Sequence, residues 1–120
     1  MLLTTTTDIP NMSFSRYFGV VSATAFIGGE ERELYQKALD AAADGVMAPL
    51  ERLEEEARRT AIDLLRFKAS ELNANAIIGL QIDHRTIDPE RNLVMIYAAG
   101  TAVRTNAGTS ARAQTVGNGW

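Results

Sequence analysis

The residues best suited to chemistry in this chain are an adjacent aspartate and histidine, Asp83 and His84, at the end of an apolar run. His84 is the only histidine, and the chain has no cysteine. Imidazole and carboxylate groups both bind metal ions and both transfer protons. The pair is therefore a candidate metal site, although a structural zinc ion normally needs four imidazole or thiolate ligands.

Asp83 and His84 are poorly placed to hold one ion within a single chain. Neighbouring residues of a strand point to opposite faces, so chelation would need symmetry-related copies around an axis of an oligomer. We name Asp83 and His84 as candidate metal ligands. The simpler interpretation is that His84 is a hydrogen-bonded or solvated residue at a strand end.

Motifs for covalent catalysis and nucleotide binding are missing from the sequence. No Gly-x-Ser-x-Gly motif occurs, and the single histidine has no identifiable serine partner. Gly28 and Gly29 precede Glu30, Glu31 and Glu33, which would repel a phosphate, and no dinucleotide fingerprint is present. We predict no catalytic residues, no cofactor and no enzyme activity, with an active site between subunits as the lowest-ranked alternative.

Several polar residues lie within or at the ends of otherwise apolar strands. If these strands face a crevice between subunits, the polar groups would be available to a small ligand. The alternative is that they are ordinary solvent-facing strand positions. The candidate ligand-binding residues are Ser22, Thr24, Gln81, Asp83, Arg85 and Thr101.

The composition is that of an ordinary globular domain. The 120 residues are 46% hydrophobic and 22% charged, with a net charge of -3, and intermixed acidic and basic residues give no nucleic-acid footprint. The N-terminus lacks the features of a secretory signal, and no apolar run reaches the roughly 20 residues of a membrane span. The absence of cysteine fits a reducing compartment. We predict a cytoplasmic protein with no nucleic-acid or membrane partner.

Hydrophobic periodicity predicts six elements in the order β-β-α-α-β-β, a two-layer α+β domain with helices on one face of an antiparallel sheet. The strand containing "GVVSATAF" has no plainly polar face, so we expect it to be covered on both sides. Gly45 and Asn73 suit the left-handed conformation that ends helices. The predicted elements are Leu2 to Thr7, Arg16 to Phe26, Glu30 to Asp44, Pro49 to Leu72, Ala76 to Ile87 and Leu93 to Val103.

The second helix carries more apolar surface than one sheet face covers. One stripe follows helical spacing, and Ile62, Leu65 and Phe67 widen it on its flanks. This excess predicts a subunit interface that includes those three residues, and a deeper groove within a monomer is the alternative. The stripe itself consists of Leu50, Leu53, Ala57, Ala61, Leu64 and Leu72.

Residues 105–120 form a small, polar C-terminal tail that ends in Trp120. We expect this tail to dock on a neighbouring subunit, with Trp120 as the anchor in a pocket. An appendage without a role is the alternative. The domain itself is expected to span residues 1–104.

These segments resemble the YbjQ-like family, small bacterial and archaeal proteins often described as heavy-metal-binding. The resemblance rests on "TTT", "GVVSATAF", "ELNANAIIGLQID" and "GTAV", and it covers the chain from Met1 to about Val103. Asn73 stands where such families usually have glycine.

The resemblance implies a dodecin-like subunit that assembles into rings, commonly pentamers or pairs of pentamers. The expected partner is therefore the chain itself, as a pentamer or decamer, with a structural or small-ligand-binding role. Heavy-metal binding is the first alternative function. The resemblance implies little further chemistry.

Overall fold

The computed structural model describes residues 1–28, 32–90 and 93–106. Its elements follow the predicted order, so the α+β class and the sequence of elements are confirmed. Their bounds are β1 (Leu2–Leu3), β2 (Phe14–Ile27), α1 (Arg32–Ala43), α2 (Ala48–Glu71), β3 (Ala76–Asp88) and β4 (Leu93–Thr105).

The four strands form one mixed sheet in the order β1-β3-β4-β2. β1 runs parallel to β3, with Leu2 opposite Ala76. The start of β2 lies beside the end of β4, where the Asn106 amide donates to the Ser13 carbonyl, so β2 and β4 run antiparallel. The prediction of an all-antiparallel sheet was therefore wrong in this detail. A strand of two residues has no alternation pattern from which its direction could be read.

Both helices end in the same way, through a residue with a left-handed backbone. Gly45 has a φ of 90° and Asn73 a φ of 67°, which confirms both predicted helix ends. After α2, the Ala74 amide donates to the Ala69 carbonyl at 3.1 Å and the Asn73 amide donates to Ser70 at 3.0 Å. These two bonds form a Schellman motif, and Ala69 and Ala74 at its two ends are both buried.

The buried stripe of α2 differs from the predicted one. Leu65 is fully buried, whereas Leu64 is 39% exposed, so the two leucines exchange the places that periodicity gave them. Small side chains every fourth residue let the helix approach its neighbours closely. The buried positions of α2 are Ala57, Ala61, Leu65 and Ala69.

β2 changes its inward face at Gly19. Ahead of Gly19, Phe14 and Phe18 are half-buried, whereas Arg16 and Tyr17 are exposed. Gly19 has a φ of 107°, a conformation typical of a β-bulge, which shifts the alternation by one residue. After it, the odd-numbered residues are buried: Val21, Ala23, Ala25 and Ile27.

The other face of β2 is open. Val20 is 77% exposed and Phe26 is 57% exposed, so the expectation of a strand covered on both sides was wrong for the single chain. β2 also lies at one end of the strand order. Among the described residues, β2 therefore presents both an uncovered apolar face and an unpaired edge.

The chain divides into two compact units. Within the described chain the first comprises residues 1–22, 64–81 and 99–106, and the second comprises residues 23–63 and 82–98. None of the helices in the described ranges combines the length and apolar character needed to cross a membrane.

The first unit has a core in which Ile9, Ala76, Ile78 and Val103 pack together. Beside this core, the side chain of Asn75 pairs with the main chain of β4. Its Oδ1 accepts from the Thr105 amide at 2.7 Å, and its Nδ2 donates to the Thr105 carbonyl at 3.5 Å. The side-chain amide of Asn75 thus hydrogen-bonds to β4 in the way that a main-chain peptide group of a neighbouring strand would.

Candidate functional site

The single histidine faces a carboxylate that the sequence gave no reason to connect with it. His84 on β3 and Glu54 on α2 lie in the second unit, with His84 Nε2 3.7 Å from Glu54 Oε1. Their side chains are 48% and 32% exposed. The separation is longer than a hydrogen bond, so the two groups face each other across a narrow gap that solvent reaches.

Asp83 has other partners than the imidazole. Its Oδ2 accepts from Arg85 Nε at 3.1 Å, and its Oδ1 accepts from the His84 main-chain amide at 2.9 Å. The Arg85 hydrogen bond, followed by the one from the His84 amide, lowers the pKa of Asp83 below its ordinary value. The Asp83 side chain therefore contacts Arg85 while the His84 side chain faces Glu54, as expected for adjacent strand residues.

Glu54 has a second titratable neighbour on α1. Tyr35 is buried, and burial raises the pKa of its hydroxyl, with a further contribution from the negative charge of Glu54. The phenol therefore stays neutral near the carboxylate across the ordinary pH range. The charge of Glu54 thus acts on Tyr35, and its carboxylate faces His84.

The six candidate ligand-binding residues fall into both units. In the second unit, Asp83 and Arg85 are exposed and paired, and Thr24 is half-buried between buried alanines of β2. In the first unit, Ser22 and Thr101 are half-buried, and Gln81 is exposed. Among these six, a direct contact is recorded between Asp83 and Arg85.

The predicted interface residues differ in how much surface they offer. Phe67 is 59% exposed and Ile62 is half-buried. Leu65 has no exposed surface and packs inside the chain, so it is not available to a neighbouring molecule and we remove it from the predicted interface. Trp120 and the rest of the tail from residue 107 lie outside the described residues.

A half-open crevice of about 250 Å³ lies in the second unit between β2 and α2. It was not foreseen, because its lining comes from two distant segments that no sequence motif connects. Its lining combines apolar side chains with the carboxylate of Glu56 and the hydroxyl of Thr60. The lining residues are Ala25, Phe26, Ile27, Leu53, Glu56, Ala57 and Thr60.

Within residues 1–28, 32–90 and 93–106, no group of three or more histidine, cysteine, aspartate or glutamate side chains could hold a metal ion. The whole sequence contains no thiol. In the described part of the chain, the possible metal donors therefore form groups of at most two, such as Glu54 and His84.

Three comparisons relate the chain to known proteins. The family model described as "Putative heavy-metal-binding" matches residues 1–106. A UPF0145 protein from Trichormus variabilis is 36% identical over 106 residues, which cover 87% of this chain and 98% of the relative. A UPF0145 protein from Nostoc punctiforme is 35% identical with the same coverage.

A solved structure shares the fold. The crystal structure of a protein of unknown function, of the DUF74 family from Pediococcus pentosaceus, superposes with a TM-score of 0.53 at 20% identity. The match covers 88% of this chain and 98% of that one. The family model spans most of the chain and the curated relatives are matched over nearly their whole length, so the chain belongs to the YbjQ-like family.

Proposed function

We propose that the chain acts as a non-enzymatic homo-oligomer, a closed ring of subunits with a structural or small-ligand-binding role. The observation that carries this proposal is the exposed apolar surface of β2 and α2. Val20, Phe26 and Phe67 are each more than half exposed. Exposed apolar side chains that gather into a patch commonly mark a surface that another protein covers.

The two ends of the sheet favour a ring over a simple dimer. β2 forms one edge along all 14 of its residues. At the other end, β1 and the residues just after it bond to β3 only as far as Leu80, so the later part of β3 has no strand outside it in the described chain. Two different edges that meet head to tail make a heterologous contact, which closes into a ring when the rotation permits.

These two edges support a second copy of the chain as the molecule that pairs with them. The exposed groups along the later part of β3 include Asp83 and Arg85 besides the apolar Ile82 and Ile87. Such a mixed edge suits specific pairing with another strand more than a lipid surface. The C-terminal tail, with Trp120, is proposed to add contacts to the neighbouring subunit, and the absence of cysteine supports a cytoplasmic location.

Small-ligand binding would use one of two surfaces. The first is the set of polar strand residues that includes Ser22, Thr24 and Thr101, and the second is the crevice between β2 and α2. The half-burial of Ser22, Thr24 and Thr101 supports the first surface, since such positions become enclosed when a neighbour packs against the sheet.

The family description raises heavy-metal binding as the second candidate function. Soft heavy metals prefer thiolate and thioether ligands; this chain has no cysteine, so its only sulfur donors are the thioethers of its four methionines. The donor groups of one subunit therefore do not fit a closed site for a soft metal. They fit at most an open site for an ion that accepts imidazole and carboxylate.

Single substitutions on the proposed interface test the assembly. A charge placed in a buried apolar contact typically costs several kcal/mol, so Val20→Asp and Phe67→Asp should shift the mass measured by light scattering toward the single subunit. Arg58→Asp serves as the control, because Arg58 lies about 180° around α2 from Phe67. Val20→Asp and Phe67→Asp proteins that keep the wild-type mass would refute this interface.

A further inference from the structure

We propose that the crevice between β2 and α2 receives the indole ring of Trp120 from a neighbouring copy of the chain. The inference rests on the proposed ring and deepens it, because it names the pocket in which the C-terminal tail of one subunit docks on the next. Trp120 itself lies outside the described residues, whereas the crevice lies wholly within them.

The two polar side chains of the crevice both present hydrogen-bond acceptors. The Glu56 carboxylate accepts and does not donate. The Thr60 hydroxyl donates its hydrogen to the main-chain carbonyl of Glu56 at 2.9 Å, so its oxygen remains available as an acceptor. An apolar occupant with one donor and no acceptor therefore fits this lining best, and the indole ring, whose N–H is its single polar group, has this chemistry.

The volume of the crevice fits one indole ring. A cavity of about 150 Å³ holds benzene, so in proportion to ring atoms an indole ring needs roughly 225 Å³. The crevice measures about 250 Å³, whereas pockets for drug-sized ligands measure roughly 300–1,000 Å³. Ala25, Leu53 and Ala57 supply apolar surface for the ring.

The tail begins at one end of the strand order and is long enough to reach a neighbour. The Asn106 amide donates to the Ser13 carbonyl at 2.7 Å, so the last described residue lies beside the start of β2, the outermost strand on that side. The segment from residue 107 to Trp120 spans at most roughly 46 Å when extended. That reach exceeds the roughly 30 Å diameter of a small domain.

The composition and number of the tails also match the crevice. Arg112 is the one charged side chain between residues 107 and 120, and Trp120 is the one aromatic side chain, so nothing in the segment is repelled by the Glu56 carboxylate. Each subunit supplies one crevice and one tryptophan, so a head-to-tail ring fills every crevice. The polar strand residues then remain as the surface for a small ligand.

Tryptophan fluorescence of the full-length protein reports on this site alone, because Trp120 is the only tryptophan. In the wild type we expect blue-shifted emission and protection from acrylamide quenching relative to the urea-unfolded chain. Thr60→Phe fills the crevice from an exposed helix position and should abolish both, whereas Arg59→Phe places the same ring one residue away, outside the lining, and should keep both. Glu56→Ala removes an acceptor and should increase quenching, and Glu55→Ala should not.

A mixed assembly tests whether the tryptophan comes from a neighbour. When Thr60→Phe and Trp120→Ala chains are co-expressed, the tryptophan is carried only by subunits whose own crevice is blocked. In a randomly mixed head-to-tail ring about half of these tails meet an open crevice, so about half of the lost protection should return. Mixed rings without any recovery would overturn docking on a neighbour.

The native mass of each sample separates this inference from the ring itself. A ring in which Trp120 is quenched as in urea, or stays protected in Thr60→Phe protein, overturns the docking and leaves the ring standing. A single subunit overturns both, even with a protected Trp120, because the tail would then dock on its own chain.

Discussion

Gly100 is the position where a single added methyl group should damage the fold most clearly. It lies buried on β4 against β3, in the first unit. A Cβ atom at this position would stand 2.5 Å from Ile77 Cγ2 and 3.1 Å from the Ile78 carbonyl oxygen. Carbon atoms at rest lie about 3.5–4.0 Å apart, so Gly100→Ala forces one or both strands to move.

The size of the effect follows from how little the neighbours can yield. Ile77 is fully buried, so its Cγ2 cannot swing into solvent, and the carbonyl of Ile78 belongs to the backbone of β3. Overpacking of this kind costs about 1–3 kcal/mol. For a domain of this size that corresponds to a fall in melting temperature of roughly 4 °C for each kcal/mol.

Thermal and urea unfolding of four proteins measure this effect: wild type, Gly100→Ala, Ile77→Leu and the double variant. Gly100→Ala should be destabilised by the stated amount, and Ile77→Leu should relieve part of the loss in the double variant, because leucine has no Cγ2 branch at Cβ. The two changes should therefore be non-additive. Gly100→Ala protein with wild-type stability would refute the close packing of β4 on β3.

Three further outcomes are expected. Leu65→Ala should cost about 2–5 kcal/mol and Leu64→Ala clearly less, because α2 buries Leu65 and exposes Leu64; equal losses in urea unfolding would contradict the observed stripe. Asn75→Ala should lower the free energy of unfolding by about 1–3 kcal/mol, because the buried Thr105 amide loses its hydrogen-bond acceptor. An unchanged urea midpoint would argue against this hydrogen bond. The burial of Tyr35 and the charge of Glu54 raise the pKa of Tyr35 in the folded protein above its ordinary 10.0. The neutral phenol therefore contributes fully to the free energy of unfolding below pH 10.0, and this contribution is lost as the pH rises through the folded pKa. Tyr35→Phe should lose less stability than wild type between neutral and strongly alkaline pH, whereas Tyr17→Phe, at an exposed tyrosine, should follow the wild-type curve.

Local signals in the sequence predicted the helices and their ends well. Gly45 and Asn73 were expected to adopt left-handed conformations, and both do. A helix end depends on one residue and its near neighbours, so it can be read from a short segment. The family resemblance, carried by the segment around Asn73 to Gly79, was confirmed for the same reason.

Features that depend on tertiary contacts were harder to predict. Periodicity alone could not decide which of Leu64 and Leu65 faces inward, because they differ by one helical step at the edge of the stripe. Gly19 interrupts the alternation of β2, and simple alternation had assumed a regular strand. The direction of β1 follows from its pairing with Ala76, far along the chain.

The candidate site shows the same limit. Asp83 was considered with His84 because the two are adjacent, whereas the carboxylate that faces the imidazole is Glu54, thirty residues earlier on α2. Glutamates at exposed helical positions usually signal a solvated face, so nothing in the pattern separated Glu54 from its neighbours. Its role depends on where α2 lies against β3, which the sequence does not state locally.

The native mass of the wild-type protein at micromolar concentration tests the central claim most directly. The subunit mass is 13.1 kDa, and the proposed ring predicts a single species at a fixed multiple of it, five or ten for the pentamer or decamer that the resemblance implies. A homogeneous species at 13.1 kDa would contradict the proposal that the exposed surfaces of β2 and α2 are covered by further copies of the chain.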